Sequence, residues 1–180
     1  MNIANKVTVL RIVLIPVFLV FLLTDIGIIG QYTAIALFIL AALTDLLDGY
    51  LARSKNLVTD FGKIMDAVAD KLLVCAALIA LVELSMIPSW VVIVIISRDF
   101  LLTAFRTLAA SKNIIIAADK IGKIKTTFQI IMIVYLMFMF NAPFLVLAGN
   151  VLIGLVLLLT IASAVNYIFK NRTVLQLENI

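Results

Sequence analysis

The sequence predicts an all-α, polytopic membrane protein: six transmembrane helices, with a short interfacial helix at the N-terminus, forming one domain over residues 1–180. Three observations carry this. Hydrophobic residues make up 65% of the chain, and the mean hydropathy is +1.26. Charged residues are only 13%, about half the share usual in soluble domains. Six apolar runs, at about 7–23, 32–50, 67–85, 88–108, 124–141 and 144–169, each approach the roughly 17–25 residues that cross about 30 Å of hydrocarbon. Helices are expected because lipid offers no partner to an unpaired peptide group.

The first run follows MNIANKVTVLR, a less apolar stretch that reads as a short interfacial helix turning into the span. Asn5 or Thr8 there would either cap a helix or touch a ligand. Lys6 and Arg11 before an apolar run resemble a secretory signal, but no small-residue cleavage site closes it, so the segment is expected to remain as the first span. Basic residues then set the orientation. Arg53, Lys55, Lys63 and Lys71 fall around one loop, Arg106, Lys112, Lys120, Lys123 and Lys125 around another, and Lys170 and Arg172 at the C-terminus. The turns near Asp25, Glu83 and Asn141 carry no Lys or Arg. The positive-inside rule puts both termini in the cytoplasm.

Composition also excludes chemistries. There is no histidine, which removes Ser-His-Asp and Cys-His catalysis and His-ligated zinc. Proton transfer then falls to a carboxylate, Lys, Tyr or water. The lone cysteine, Cys75, permits no internal disulfide and sits in an apolar run as packing. The net charge of +4 suits both cytoplasmic loops and an attraction for anionic lipids and phosphates. No soluble module is present to hold nucleic acid, so none is expected as a partner.

The informative stretch is DLLDGYLARSKNLVTDFGKIMDAVADK, from Asp45 to Lys71. Asp45 and Asp48 lie three positions apart, Asp66 and Asp70 four apart, so each pair shares a helix face. The first pair closes span two, the second opens span three, and SKNLVTD, with Asp60, reads as the loop of an antiparallel hairpin. One charge at a helix centre costs about 2.5–3.5 kcal/mol in a membrane, so four carboxylates require compensation. Oxygen-only ligands point to Mg²⁺ or Mn²⁺, and two such ions sharing carboxylates would polarise a phosphoryl group. Gly49, Ala52 and Gly62 allow close approach, and the Arg53 fork suits a diphosphate.

The stretch reads D-x2-D-G-x2-A-R-x8-G-x3-D-x3-D from Asp45 through Asp70, and so resembles the signature of the CDP-alcohol phosphatidyltransferases. The resemblance implies that a CDP-lipid donates its phosphatidyl group to an alcohol and CMP leaves. It implies two divalent cations, with Asp45, Asp48 and Asp66 as ligands. It makes Asp70 the base that deprotonates the acceptor hydroxyl while also touching a metal. Gly49 and Arg53 match CDP-contacting positions, and Thr59 and Asn5 fall near further nucleotide contacts. It further implies a homodimer with one site per protomer, in a bacterial plasma membrane, with the active site on the cytoplasmic side.

Cations beyond the motif bear on the acceptor. Span four carries Arg98 and Asp99, with Arg106 near its end, and the loop before span five reads DKIGKIKT. Arg98 and Asp99 form either a packing ion pair or, with Arg106, Lys123 and Lys125, a second anion site. RDFLLTAFR, GKIKT and the opening NIANKVTVLRIVLIPVF look like segments of phosphatidylglycerophosphate synthases. The expected substrates are therefore CDP-diacylglycerol and glycerol 3-phosphate. Inositol phosphate is the nearest alternative acceptor, and a divalent-cation transporter is the alternative from another class.

Overall fold

The computed structural model describes residues 3–24, 26–54, 60–111, 120–139 and 145–171, with side chains described over 8–24, 26–44, 68–110, 121–138 and 145–171. Among these residues the chain is all helical: α1 (Ile3–Leu23), α2 (Gly27–Ser54), α3 (Asp60–Glu83), α4 (Ser89–Ser111), α5 (Lys120–Met139) and α6 (Val146–Lys170). Every apolar run became a helix, and several helices exceed the run that marked them. The charged ends stay helical because the i→i−4 ladder, not side-chain hydropathy, sets where a helix stops.

Three expectations change. The N-terminal stretch is not a separate interfacial helix; it is the first part of α1, which runs unbroken through Pro16, since no residue before it interrupts the ladder. Asp60 is the first residue of α3 rather than a loop residue. Gly122, Lys123 and Lys125 lie on α5, which begins at Lys120, where a loop was expected.

The chain forms two compact units. In the first, α1 packs along α2 and α3, and α2 packs on α3. Its core is small residues between large ones: Ala34 and Ala41 on α2 and Ala69, Ala77 and Ala80 on α3 are at most 2% exposed. Such residues let backbones approach where dispersion must hold helices together. Phe18 of α1 meets Phe38 of α2 at 5.7 Å between ring centroids. The last residues of α5 belong to this unit: the Gln31 amide donates to the Met137 carbonyl at 2.5 Å, and Tyr32 packs edge-on to Phe138.

Two turns set the ends of these helices. Gly27 starts α2 with φ of +70°, which a residue with a Cβ adopts at a cost. At the end of α3, Met86 N–H donates to Leu81 O and Ser85 N–H to Val82 O, both at 2.9 Å, while Ser85 takes φ of +57°. This is a Schellman cap with serine in the place glycine usually fills.

In the second unit α4 packs on α6. The buried seam of α6 is Gly149, Ile153, Val156, Thr160, Ser163 and Tyr167, a strict alternation of four and three that keeps one face turned to its neighbours. Outward faces are apolar: Ile29 is 78% exposed, Leu147 76%, Phe169 71% and Leu158 69%. Water would oppose so much exposed hydrocarbon, whereas lipid does not. The helices over 27–44, 121–138 and 146–170 are long and apolar enough to cross a bilayer. The apolar helices mark a membrane protein.

Candidate active site

The four aspartates occupy the paired ends of one hairpin. Asp45, Asp48, Gly49 and Arg53 lie in the last third of α2, and Asp66 and Asp70 in the first half of α3. The two helices pack together across a connection of only positions 55–59, so they run antiparallel and their motif-bearing ends share one end of the hairpin. The side chains of Asp45, Asp48, Gly49, Arg53, Asp66 and Asn5 lie outside the described residues, as does Thr59 entirely. Asp70 is exposed on α3, one position from fully buried Ala69. The candidate donors are carboxylates, with no imidazole anywhere in the chain, and such a set would fit a hard divalent cation.

Helix α1 brings a positive charge to this unit. Arg11 is 0% exposed and Thr8, one turn before it, 3%. The sequence reading treated Arg11 only as a basic residue of the cytoplasmic side. The structure buries it on the helix that packs against both motif helices. A guanidinium out of water needs compensating negative charge, and the motif helices are the acidic part of this unit. The signal available in sequence was its position two turns inside an apolar helix.

The second unit holds the cations, and Asp99 organises them. The Lys125 ammonium donates to both Asp99 oxygens, each at 2.7 Å, and its side chain is 1% exposed. Arg98 Nη1 donates to the same Asp99 Oδ1 at 3.0 Å, and Arg98 Nη2 to Ser163 Oγ at 2.6 Å. Ser163 in turn donates to Thr160 O at 3.2 Å. Gly122 of α5 lies close to Arg98, whose Nη2 would be 3.5 Å from a Cβ built there, an ordinary contact. One turn beyond Lys125, Gln129 is 2% exposed and its Nε2 has no hydrogen-bond partner among the described residues.

Arg106 is anchored separately. Its Nε donates to the Tyr167 hydroxyl at 3.3 Å, and its guanidinium lies 5.4 Å from the centroid of the same ring. Tyr167 is 1% exposed and is held edge-on by Phe105 at 5.7 Å. Lys123 is exposed on α5. Of the cations expected to act together, Arg98 and Lys125 therefore meet directly through Asp99. Arg106 lies about two turns beyond Arg98 on α4 and is held from α6, where Tyr167 follows Ser163 by one turn.

Sequence reasoning missed Ser163, Tyr167 and the central place of Asp99. The available signal was polar residues recurring at seam spacing within an otherwise apolar helix, Thr160, Ser163 and Tyr167.

The family model described as CDP-alcohol phosphatidyltransferase matches residues 1–165. The chain is 40% identical, over 99% of both chains, to the CDP-diacylglycerol–glycerol-3-phosphate 3-phosphatidyltransferase of Bacillus subtilis strain 168. It is 37% identical to a probable phosphatidylglycerophosphate synthase of Mycobacterium tuberculosis H37Rv, over 94% of this chain and 81% of that one. A Rickettsia bellii protein, also named CDP-diacylglycerol–glycerol-3-phosphate 3-phosphatidyltransferase, is 33% identical over 92% and 93%.

Proposed function

Because the chain belongs to the CDP-alcohol phosphatidyltransferase family, we propose that it transfers the phosphatidyl group of CDP-diacylglycerol to glycerol 3-phosphate, releasing CMP. The observation that carries this reading is the eight-position aspartate signature lying on the paired ends of α2 and α3.

The chemistry follows from these positions. An oxygen of the acceptor attacks the phosphatidyl phosphorus, the bond from that phosphorus to the CMP oxygen breaks, and the acceptor's proton goes to Asp70. Asp70 is exposed on α3, so a substrate hydroxyl has access to it, as a general base requires. Asp45, Asp48 and Asp66, with Asp70 at the margin, would hold two divalent cations, Mg²⁺ or Mn²⁺. Such ions supply charge neutralisation for the diphosphate and the departing CMP. Gly49 leaves room for the CDP group, Arg53 binds its diphosphate, and Asn5 and Thr59 contact the nucleotide.

Acceptor selection falls to the cations of α4 and α5. Arg106 and Lys123 are exposed and would meet the acceptor's phosphate directly. Arg98 and Lys125 would add charge from the cluster around Asp99. A neutral alcohol would not need such a concentration of cations.

The same reading places six helices across a bacterial plasma membrane. Both termini and the active site face the cytoplasm, supported by the basic residues around 53–71 and 106–125. The protein works as a homodimer with one site per protomer. Purified protein given CDP-diacylglycerol, glycerol 3-phosphate and Mg²⁺ or Mn²⁺ should form phosphatidylglycerophosphate and CMP in equal amounts, and a chelator should stop it. Metal flux into lipid-substrate-free liposomes, without CMP release, would instead make it a transporter.

A further inference from the structure

We infer that Asp99 is a positioning residue for the transfer reaction: it holds Lys125 and Arg98 as a preset cation pair for the acceptor's phosphate. This rests on the acceptor-site reading above and adds to it a residue that never touches the substrate.

The geometry separates Asp99 from an ordinary helix-surface ion pair. Both its oxygens are spent on one ammonium at 2.7 Å, and one of them also takes Arg98 at 3.0 Å. A lysine stem has four rotatable carbons and little intrinsic direction. Here it is buried to 1% exposure, while Asp99 is 23% and Arg98 13% exposed. The carboxylate thus fixes the buried ammonium and leaves the Arg98–Asp99 edge as the open side of the cluster. Ser163 Oγ accepts from Arg98 Nη2 at 2.6 Å, so the guanidinium plane is set from two helices. Asp99 sits next to Arg98 on α4, and Lys125 reaches it from α5. One side chain therefore ties together the cations of two helices. Without Asp99 the ammonium and the guanidinium would lose the carboxylate that both bond, and the pair would lose its geometry before a phosphate arrived.

A purely structural ion pair would change folding and leave substrate preference alone. The test is steady-state kinetics on the purified full-length enzyme with Asp99→Asn, Asp99→Glu, Ser163→Ala and, as a benchmark, Lys125→Met. Asp99→Asn should raise KM for glycerol 3-phosphate by about tenfold or more, with KM for CDP-diacylglycerol unchanged. Asp99→Glu should recover part of that loss. Ser163→Ala, which removes one bond from Arg98 and keeps the fold even where Asp99→Asn does not, should raise the same KM about threefold. An unchanged acceptor KM in Asp99→Asn, beside a raised one in Lys125→Met, would overturn the positioning role and leave the acceptor site standing. No effect from either would overturn both. A lower acceptor KM in Asp99→Asn would make Asp99 a competitor for the cations and also overturn the proposal.

Discussion

Replacing Lys125 by methionine should separate two jobs that one ammonium performs. Methionine keeps most of the apolar stem that packs in α5 and removes the charge. The structural loss can be sized from the contacts. Breaking a buried pair by deleting one partner costs about 3–5 kcal/mol when the other charge is stranded. Asp99 is not stranded: it keeps Arg98 at 3.0 Å and is 23% exposed, which brings the cost down to about 2 kcal/mol. The functional loss has a different origin. Lys125 is buried and adds charge from the cluster without touching the acceptor's phosphate, a contribution of about 1 kcal/mol across several ångströms, so KM for glycerol 3-phosphate should rise roughly fivefold. KM for CDP-diacylglycerol should stay within about twofold, since no acceptor contact serves the donor. Thermal unfolding in detergent reads the first loss and CMP release the second. The double variant Lys125→Met with Asp99→Asn also takes the carboxylate from Arg98, so it should regain neither stability nor acceptor affinity over Lys125→Met. An unchanged acceptor KM in Lys125→Met, or its full recovery in the double variant, would refute the reasoning.

Other outcomes follow from the same structure. Asp70→Asn should lower kcat by about 10²–10⁴, the usual span for a lost general base; donor binding measured by competition should persist, and near-native turnover would remove Asp70 from that role. Tyr167→Phe deletes the hydroxyl that accepts Arg106 Nε at 3.3 Å but keeps the ring 5.4 Å from the guanidinium. The bond is long and Arg106 exposed, so KM for glycerol 3-phosphate should rise only about two- to fivefold, while Tyr167→Leu, which also loses the ring, should raise it further. Ser85→Gly should stabilise the cap of α3 by about 0.5 kcal/mol, because serine at φ of +57° bears a left-handed penalty that glycine does not; calorimetry would show a higher Tm with unchanged kinetics.

The helices were legible because hydropathy in lipid is a strong, length-coded signal, and the aspartate motif because charge there is costly and its spacing periodic. The ends were less legible. Asp60 and Lys120 lie outside the apolar runs, yet each begins a helix, since backbone hydrogen bonding continues past the hydrocarbon. The cation cluster was legible in composition but not in connection. Arg98 and Asp99 are neighbours in sequence, but nothing local says that Asp99 also takes Lys125, 26 positions on. Nor does local pattern pair Arg98 with Ser163 or Arg106 with Tyr167, 65 and 61 positions away. Those contacts exist because α6 turns a polar stretch of its seam toward α4, a property of packing. Arg11 shows the same limit, since its charge suggested a cytoplasmic edge and packing buried it.

The central claim, phosphatidyl transfer to glycerol 3-phosphate at the aspartate hairpin, is tested most directly by CMP release from CDP-diacylglycerol across a panel of acceptors. The panel is glycerol 3-phosphate, inositol phosphate, serine and no acceptor, each with Mg²⁺ or Mn²⁺ and with chelator. The account predicts turnover with glycerol 3-phosphate and metal together, and none without either. Equal turnover with inositol phosphate, or release that survives the chelator, would contradict it.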